Sequence, residues 1–246
     1  LIPCLNNLGA VRRHLGKFEE AESHLKRAIE LDDKASSSYN PRIALCHLYL
    51  DMGREEEVVL LLEEIKQAMK TSQAARHQSF VLLFRGELHR RAGQYVQGRL
   101  ALSQALELVY HTGRFAMARE IQDTLAELLS DSGQHRSALV CFDSPVGDQH
   151  DWLPQDLSRR ELVRCKVHAR LGEHEQACHH GVQARDLYAD MSNPLRHGRS
   201  LAALADAHAG LGDLEAAREC REEALTIFTR LGVPEAKQMR ALLEAV

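Results

Sequence analysis

Two cysteine–histidine pairs hold the sharpest chemical possibility in this sequence. Cys165 and His168 are three residues apart, and His174 and Cys178 are four apart. Each pair would share one face of a helix, and across a tight turn the four could supply a Cys2His2 zinc donor set. The spacing lacks the short loop that fixes such sites, and a thiol also packs as a small apolar group. We therefore read Cys165 as core and the histidines as solvated or capping, with no metal; His179 and His180 add nothing specific. No G-x-S-x-G elbow and no G-x-x-x-x-G-K-S/T phosphate loop occurs, and the six cysteines at 4, 46, 141, 165, 178 and 220 include no C-x-x-C pair. We expect no catalytic residue, no cofactor and no enzyme activity. Buried thiols rather than a disulfide framework point to a reducing, cytoplasmic setting.

The elements that carry these residues repeat. Leu201 to Phe228 reads as two amphipathic helices around a glycine turn: Leu201, Leu204 and Ala205 recur at helical spacing, Leu211-Gly212-Asp213 breaks the run, and Leu214, Ala217, Ala224, Leu225 and Phe228 resume it. The same turn recurs at Gly16, Gly53, Gly93, Gly133 and Gly172. Subtracting successive glycine numbers gives 37, 40, 40, 39 and 40 residues. A fixed period of this size marks a helical solenoid, in which each unit buries its stripe only against its neighbours.

These residues resemble the tetratricopeptide repeat (TPR) family over nearly the whole chain. Repeat one carries Leu5, Leu8-Gly9, Gly16, Phe18, Ala21, Leu25 and Ala28, and repeat six carries Leu204-Ala205, Gly212, Leu214, Ala217 and Ala224. Arg85 and Arg164 replace the large residue of the first helix (helix A), and Gly181 and Arg221 replace the large residue of the second (helix B). A one-turn slip of register is therefore expected in repeats three and five. The implied fold is all-α: a right-handed α-α superhelix of six helix-turn-helix repeats. Their spans are about 2–35, 39–70, 73–111, 114–145, 155–190 and 193–231, followed by a capping helix over about 234–246. Gly212 to Ala236 is also similar to the C-terminal repeat of actinobacterial regulators of the Streptomyces antibiotic regulatory protein and STAND types, in which a DNA-binding domain precedes the repeats.

The resemblance implies a protein or peptide ligand in the concave groove. Contact positions at fixed offsets in helix A are then Asn6 and Arg13 in repeat one, His47 in repeat two, and Glu87, Arg90 and Arg91 in repeat three. Repeat four gives Asp123, Glu127 and Asp131, and repeat five gives Lys166 and Arg170. The groove would alternate, basic at repeats three and five and acidic at repeat four, which suits a mixed-charge peptide; solvated helix faces are the alternative. The Lys-Asn-Asn-Lys-Arg clamp of chaperone-binding members is absent. The implied role is the sensor domain of a bacterial transcription regulator acting in signal transduction, with a stand-alone scaffold as the alternative.

Composition sets the remaining bounds. A net charge of −4 argues against direct nucleic-acid binding, and no apolar run is long enough to span a membrane. The chain starts at Leu1 with a helix close behind, which we read as a piece of a longer protein whose upstream domains are possible partners. Asp32 to the following serines reads as a linker, Thr71 or Ser72 as a helix cap, and Ser158–Glu161 as a capping box for a helix that could also start at Pro154. Pro145 would truncate the second helix of repeat four, and Trp152 in the loop after it would pack over that short helix rather than contact a partner.

Overall fold

The structure is a computed structural model that describes residues 1–32, 40–68, 75–143, 146 and 152–244, with the side chains of 40, 68, 75 and 76 left out. Among these residues every regular element is helical. Six antiparallel hairpins follow one another: α1 (Ile2–His14) with α2 (Phe18–Leu31), α3 (Asn40–Asp51) with α4 (Glu55–Ala68), α5 (Ala75–Arg91) with α6 (Tyr95–His111), α7 (Phe115–Asp131) with α8 (His135–Asp143), α9 (Pro154–Leu171) with α10 (His174–Asp190), and α11 (Pro194–Gly210) with α12 (Leu214–Leu231). A last helix, α13, spans Glu235–Glu244. The architecture is an α-α superhelix. The six turn glycines have φ between 71° and 83°, a left-handed conformation that lets helix B fold back within three residues.

Helix starts follow from local chemistry. Asn193 and Asp213 cap α11 and α12, each accepting from a backbone N–H three residues on at 3.1 Å. Helix α9 begins at Pro154, and Asp156 accepts from the backbone N–H of Leu153. The expected capping box at Ser158 is not used. Ser158 is buried and donates to the Gln155 carbonyl, while Glu161 meets His180 and Arg164. The expected caps at Thr71 and Ser72, the linker after Asp32 and the stop at Pro145 lie outside the described residues.

The repeats keep one register, so the slip expected in repeats three and five does not occur. Helix A and helix B meet at positions sixteen residues apart: Gly9 against Leu25, Gly86 against Leu102, and Cys165 against Gly181. In repeat five the glycine is on helix B, and the space above it is taken by Cys165 of helix A together with Leu204 of the next repeat. Arg85 matches Leu8, an exposed position, and bonds Glu63 of α4 at 3.2 Å.

The superhelix closes on itself. One continuous core joins Phe18, Leu25, Leu45, Leu48 and Leu62 of the first two hairpins to Leu195, Leu201, Phe228, Val233 and Met239 at the other end of the chain. The turn at Gly16 lies against Leu231 and Pro194, and the turn at Gly53 against Pro234. Asn193 bonds His14 at 3.0 Å across the same seam. Helix α13 packs on α12, and its Met239 and Glu235 reach this joint.

Candidate functional site

Closure turns the groove into a cavity of about 670 Å³, lined by the inner faces of α3, α5, α7, α9 and α11 and by α13. Its apolar wall includes Leu83, Phe84, Leu162, Val163, Ala202, Ala203, Met239 and Leu242, and charged side chains of both signs surround it. His47 sits edge-on to Phe84, with ring centroids 4.7 Å apart. Burial pulls its imidazole down to about 4; Glu120 and Asp51 oppose the shift, and Arg13 and Arg159 add to it.

The charges form a ladder between repeats. Arg90 bonds Glu87 at 2.8 Å and also Asp131, while Arg91 reaches Glu87 at 2.7 Å and Glu55 at 3.2 Å. Lys166 meets Glu127 at 2.6 Å and Arg170 meets Asp131 at 2.6 Å. The alternation of sign read from repeats three, four and five thus becomes ion pairs that bridge α5, α7 and α9. Glu127 would be raised by burial, but Lys166 and Arg90 hold it well below the usual carboxylate range.

Asp51 organises the seam. It is 5% exposed and faces Arg13 at 3.1 Å, Arg199 at 3.1 Å and Arg196 at 3.4 Å. Burial opposes its charge, but the three guanidinium groups outweigh that and keep it far below the ordinary carboxylate range. Arg199 also grips Glu235 of α13 at 2.5 Å, and Arg159 meets Glu120 at 3.1 Å.

Of the residues expected from the helix A offsets, the cavity brings together His47, Glu87, Arg90, Arg91, Asp123, Glu127, Lys166 and Arg170. Three lie off its wall. Arg13 is held by Asp51, Asp131 by Arg90 and Arg170, and Asn6 has a buried Oδ1 without a hydrogen-bond partner. Asp123 is buried against Arg160 of the next repeat, so it ties α7 to α9.

The offsets missed Glu120, Arg159 and Arg199, which occupy one equivalent position a turn nearer the helix start in repeats four, five and six. Reading that position across the period would have found them. No sequence signal locates Glu235, Gln238, Met239 and Leu242 of α13, because they face the cavity only once the superhelix has closed.

The cysteine–histidine pairs disperse. Cys165 is buried beside Gly181 and burial lifts its thiol to about 12, while His168 bonds Glu173 and stacks on His180. Among the described residues no group of three or more His, Cys, Asp or Glu side chains is placed to hold a metal. None of the described helices is long and apolar enough to cross a membrane. Trp152 lies under the guanidinium groups of Arg119 and Arg160, 5.3 and 4.9 Å from its ring centre. It covers the ion pairs between α7 and α9.

Tetratricopeptide-repeat family models match residues 2–34 and 198–228. Together they cover 64 of the 246 residues, at the two ends of the chain. These two matches are the first and last hairpins, the pair that meet at the seam. No curated protein matches the sequence. Among solved structures, a Rap protein complexed with competence and sporulation factor superposes with a TM-score of 0.67 at 13% identity, over 98% of this chain and 70% of that one. BtubC (BKLC) from P. vanneervenii gives 0.50 at 14% identity, over 90% and 92%. NprR in complex with its cognate peptide NprX gives 0.42 at 13%, over 96% and 81%. At 13% identity the likeness to the Rap protein speaks for the fold alone.

Proposed function

We propose that this chain is a peptide-binding regulatory module that holds a short segment of polypeptide inside its closed TPR ring. The observation that carries this reading is the cavity itself. Its apolar wall and mixed-charge rim can hold an extended chain, and about 670 Å³ leaves no room for a folded domain. The Rap structure, whose own description names a bound factor, superposes over nearly all of this chain and supports the same use of the fold. The similarity of Gly212–Ala236 to regulator repeats supports a further step: the module is the sensor part of a bacterial transcription regulator in the cytoplasm, relaying occupancy of the ring to neighbouring domains. His47, Glu87, Arg90, Arg91, Glu127, Lys166 and Arg170 are the proposed contacts.

Filling the cavity tests the reading. Ala202 lines it, so Ala202→Trp should remove binding of a mixed pool of synthetic peptides while leaving the helical circular dichroism unchanged. Equal retention of peptides by both proteins would move recognition elsewhere. The scaffold reading has its own support in the exposed Val59 and Leu60 of α4 and Val96 and Leu100 of α6, which suit a folded partner on the outer surface. A peptide-independent partner lost in Leu60→Lys but kept in Ala202→Trp would favour it.

A further inference from the structure

One face of α1 has no cover. Leu1, Cys4, Leu8, Val11 and Leu15, on α1 and its two cap positions, follow one another at steps of three, four, three and four residues, and all five are exposed. That spacing is the apolar seam of a coiled coil. In later repeats the matching face is sealed. Val11 corresponds to Leu48, Leu128, Val167 and Ala207, each at most 1% exposed, whereas Val11 itself is 53% exposed. Cys4 corresponds to Val81, Ile121, Arg160 and Ser200, all of them buried. The seal comes from helix B of the preceding repeat: α6 sets Gly98 on Leu128 of α7, and α10 sets Gly181 on Leu204 of α11, the counterpart of Leu8. At the other end of the stack α13 packs on α12. Among the described residues no helix does the same for α1.

We infer that α1 pairs with α1 of a second copy of this chain, antiparallel about a two-fold axis, with Leu8 against the partner's Val11 and Cys4 against the partner's Leu15. The stripe matches itself. From Cys4 through Leu8 and Val11 to Leu15 the steps are four, three and four residues, which read the same in both directions, so four layers align without a slip. Within the stack a small residue of helix B meets a large one of helix A. Two copies of α1 bring large residues from both sides, which suits the wider interaxial spacing of a coiled-coil pair. Charge does not oppose the pairing. Arg12 is held by Glu20 and Arg13 by Asp51, both at 3.1 Å, and the exposed neighbours Asn7 and His14 carry no fixed charge. Each α1 is already folded against α2, so pairing orders little, and the antiparallel helix dipoles attract. A single helix pair is a small interface, so the dimer is a weak one. None of the five residues lines the cavity, so this pairing is independent of the peptide-binding reading.

Sedimentation equilibrium of the 246-residue chain from about 1 to about 300 μM reads the association. The average mass should rise from one chain towards two. Val11→Glu puts an unpaired carboxylate into a central layer and should weaken association about a hundredfold. Val59→Glu, at an equally exposed apolar position on α4, should leave it unchanged. Circular dichroism and urea midpoints of both variants should match the parent protein, because neither side chain is buried. Direction is read with Leu15→Cys in glutathione disulfide, which takes up the two electrons as the thiols join. The new bond should link position 15 to the partner's Cys4, and the parent protein should form no bond between two copies of Cys4. A single-chain mass at every concentration would overturn the inference and leave the stripe to a helix of another protein. A dimer that survives Val11→Glu would overturn it by placing the contact elsewhere, and Cys4 linked to Cys4 would overturn the antiparallel pairing.

Discussion

Asp51 shows how one residue can decide the state of the molecule. Its carboxylate is buried among three arginines, and removing it leaves those charges uncompensated in a site of low dielectric. Asp51→Asn should cost about 3–5 kcal/mol by that mechanism, read as a drop in the urea midpoint; a loss under about 1 kcal/mol would mean the arginines find other partners. His47 makes a different, pH-dependent contribution. Its folded pKa of about 4 lies below the ordinary 6.5, so the unfolded chain takes up a proton first as pH falls. The contribution of His47 should therefore be level above about pH 6.5 and decline towards about pH 4, by on the order of 1–3 kcal/mol. His14 and His197 are also lowered, mainly by burial, and push the same way, whereas burial raises Asp123 and Asp206 and these oppose it. Relative to the parent protein, His47→Gln should therefore gain stability as pH falls from 7 to 5, which denaturant midpoints of both at pH 7, 6 and 5 would reveal.

At the scale of the element, all six hairpins use one device, a left-handed glycine between helices, yet the six turns differ in what surrounds them. At Gly133, φ is 83° and an added Cβ meets open space, so Gly133→Ala carries only backbone strain, about 1–2 kcal/mol. At Gly53, φ is 72° and the same Cβ would lie 2.5 Å from Cγ of Pro234, across the seam. Gly53→Ala should therefore destabilise by more than Gly133→Ala, by about a further 1–3 kcal/mol of overpacking. Equal losses in thermal or urea unfolding would show that the seam at Pro234 yields freely. The register was misread in repeats three and five, because the sixteen-residue pairing of helix A with helix B shows only in the structure. Gly181 looks like a defect in helix B until Cys165 of helix A and Leu204 of the next repeat are seen to fill the space above it.

At the scale of the whole molecule, a solenoid is usually an open stack, and here the two ends share a core. Met239 is buried in that shared core and belongs to the last helix. Met239→Asp should part the seam while the hairpins remain folded. Small-angle scattering should then show a larger radius of gyration with little change in helical circular dichroism, and an unchanged radius would place the closure energy in the arginine network instead. The same opening should abolish peptide retention, because α13 and the seam arginines would no longer face α7 and α9.

The sequence by itself determined the repeat, its period of about forty residues, the all-helical hairpins and the face of each helix A that turns inward. Those features are local: apolar spacing, turn glycines and cap residues act within one hairpin and its neighbours. The cavity was only partly legible. His47, Glu87, Lys166 and Arg170 follow from offsets within a repeat, whereas the union of Asp51 with Arg196, Arg199 and Glu235 does not. That union joins residues more than 140 positions apart, and it exists because the last hairpin and α13 come to rest against the first two hairpins. No single repeat encodes that contact, so only the tertiary structure decided that the groove is a ring.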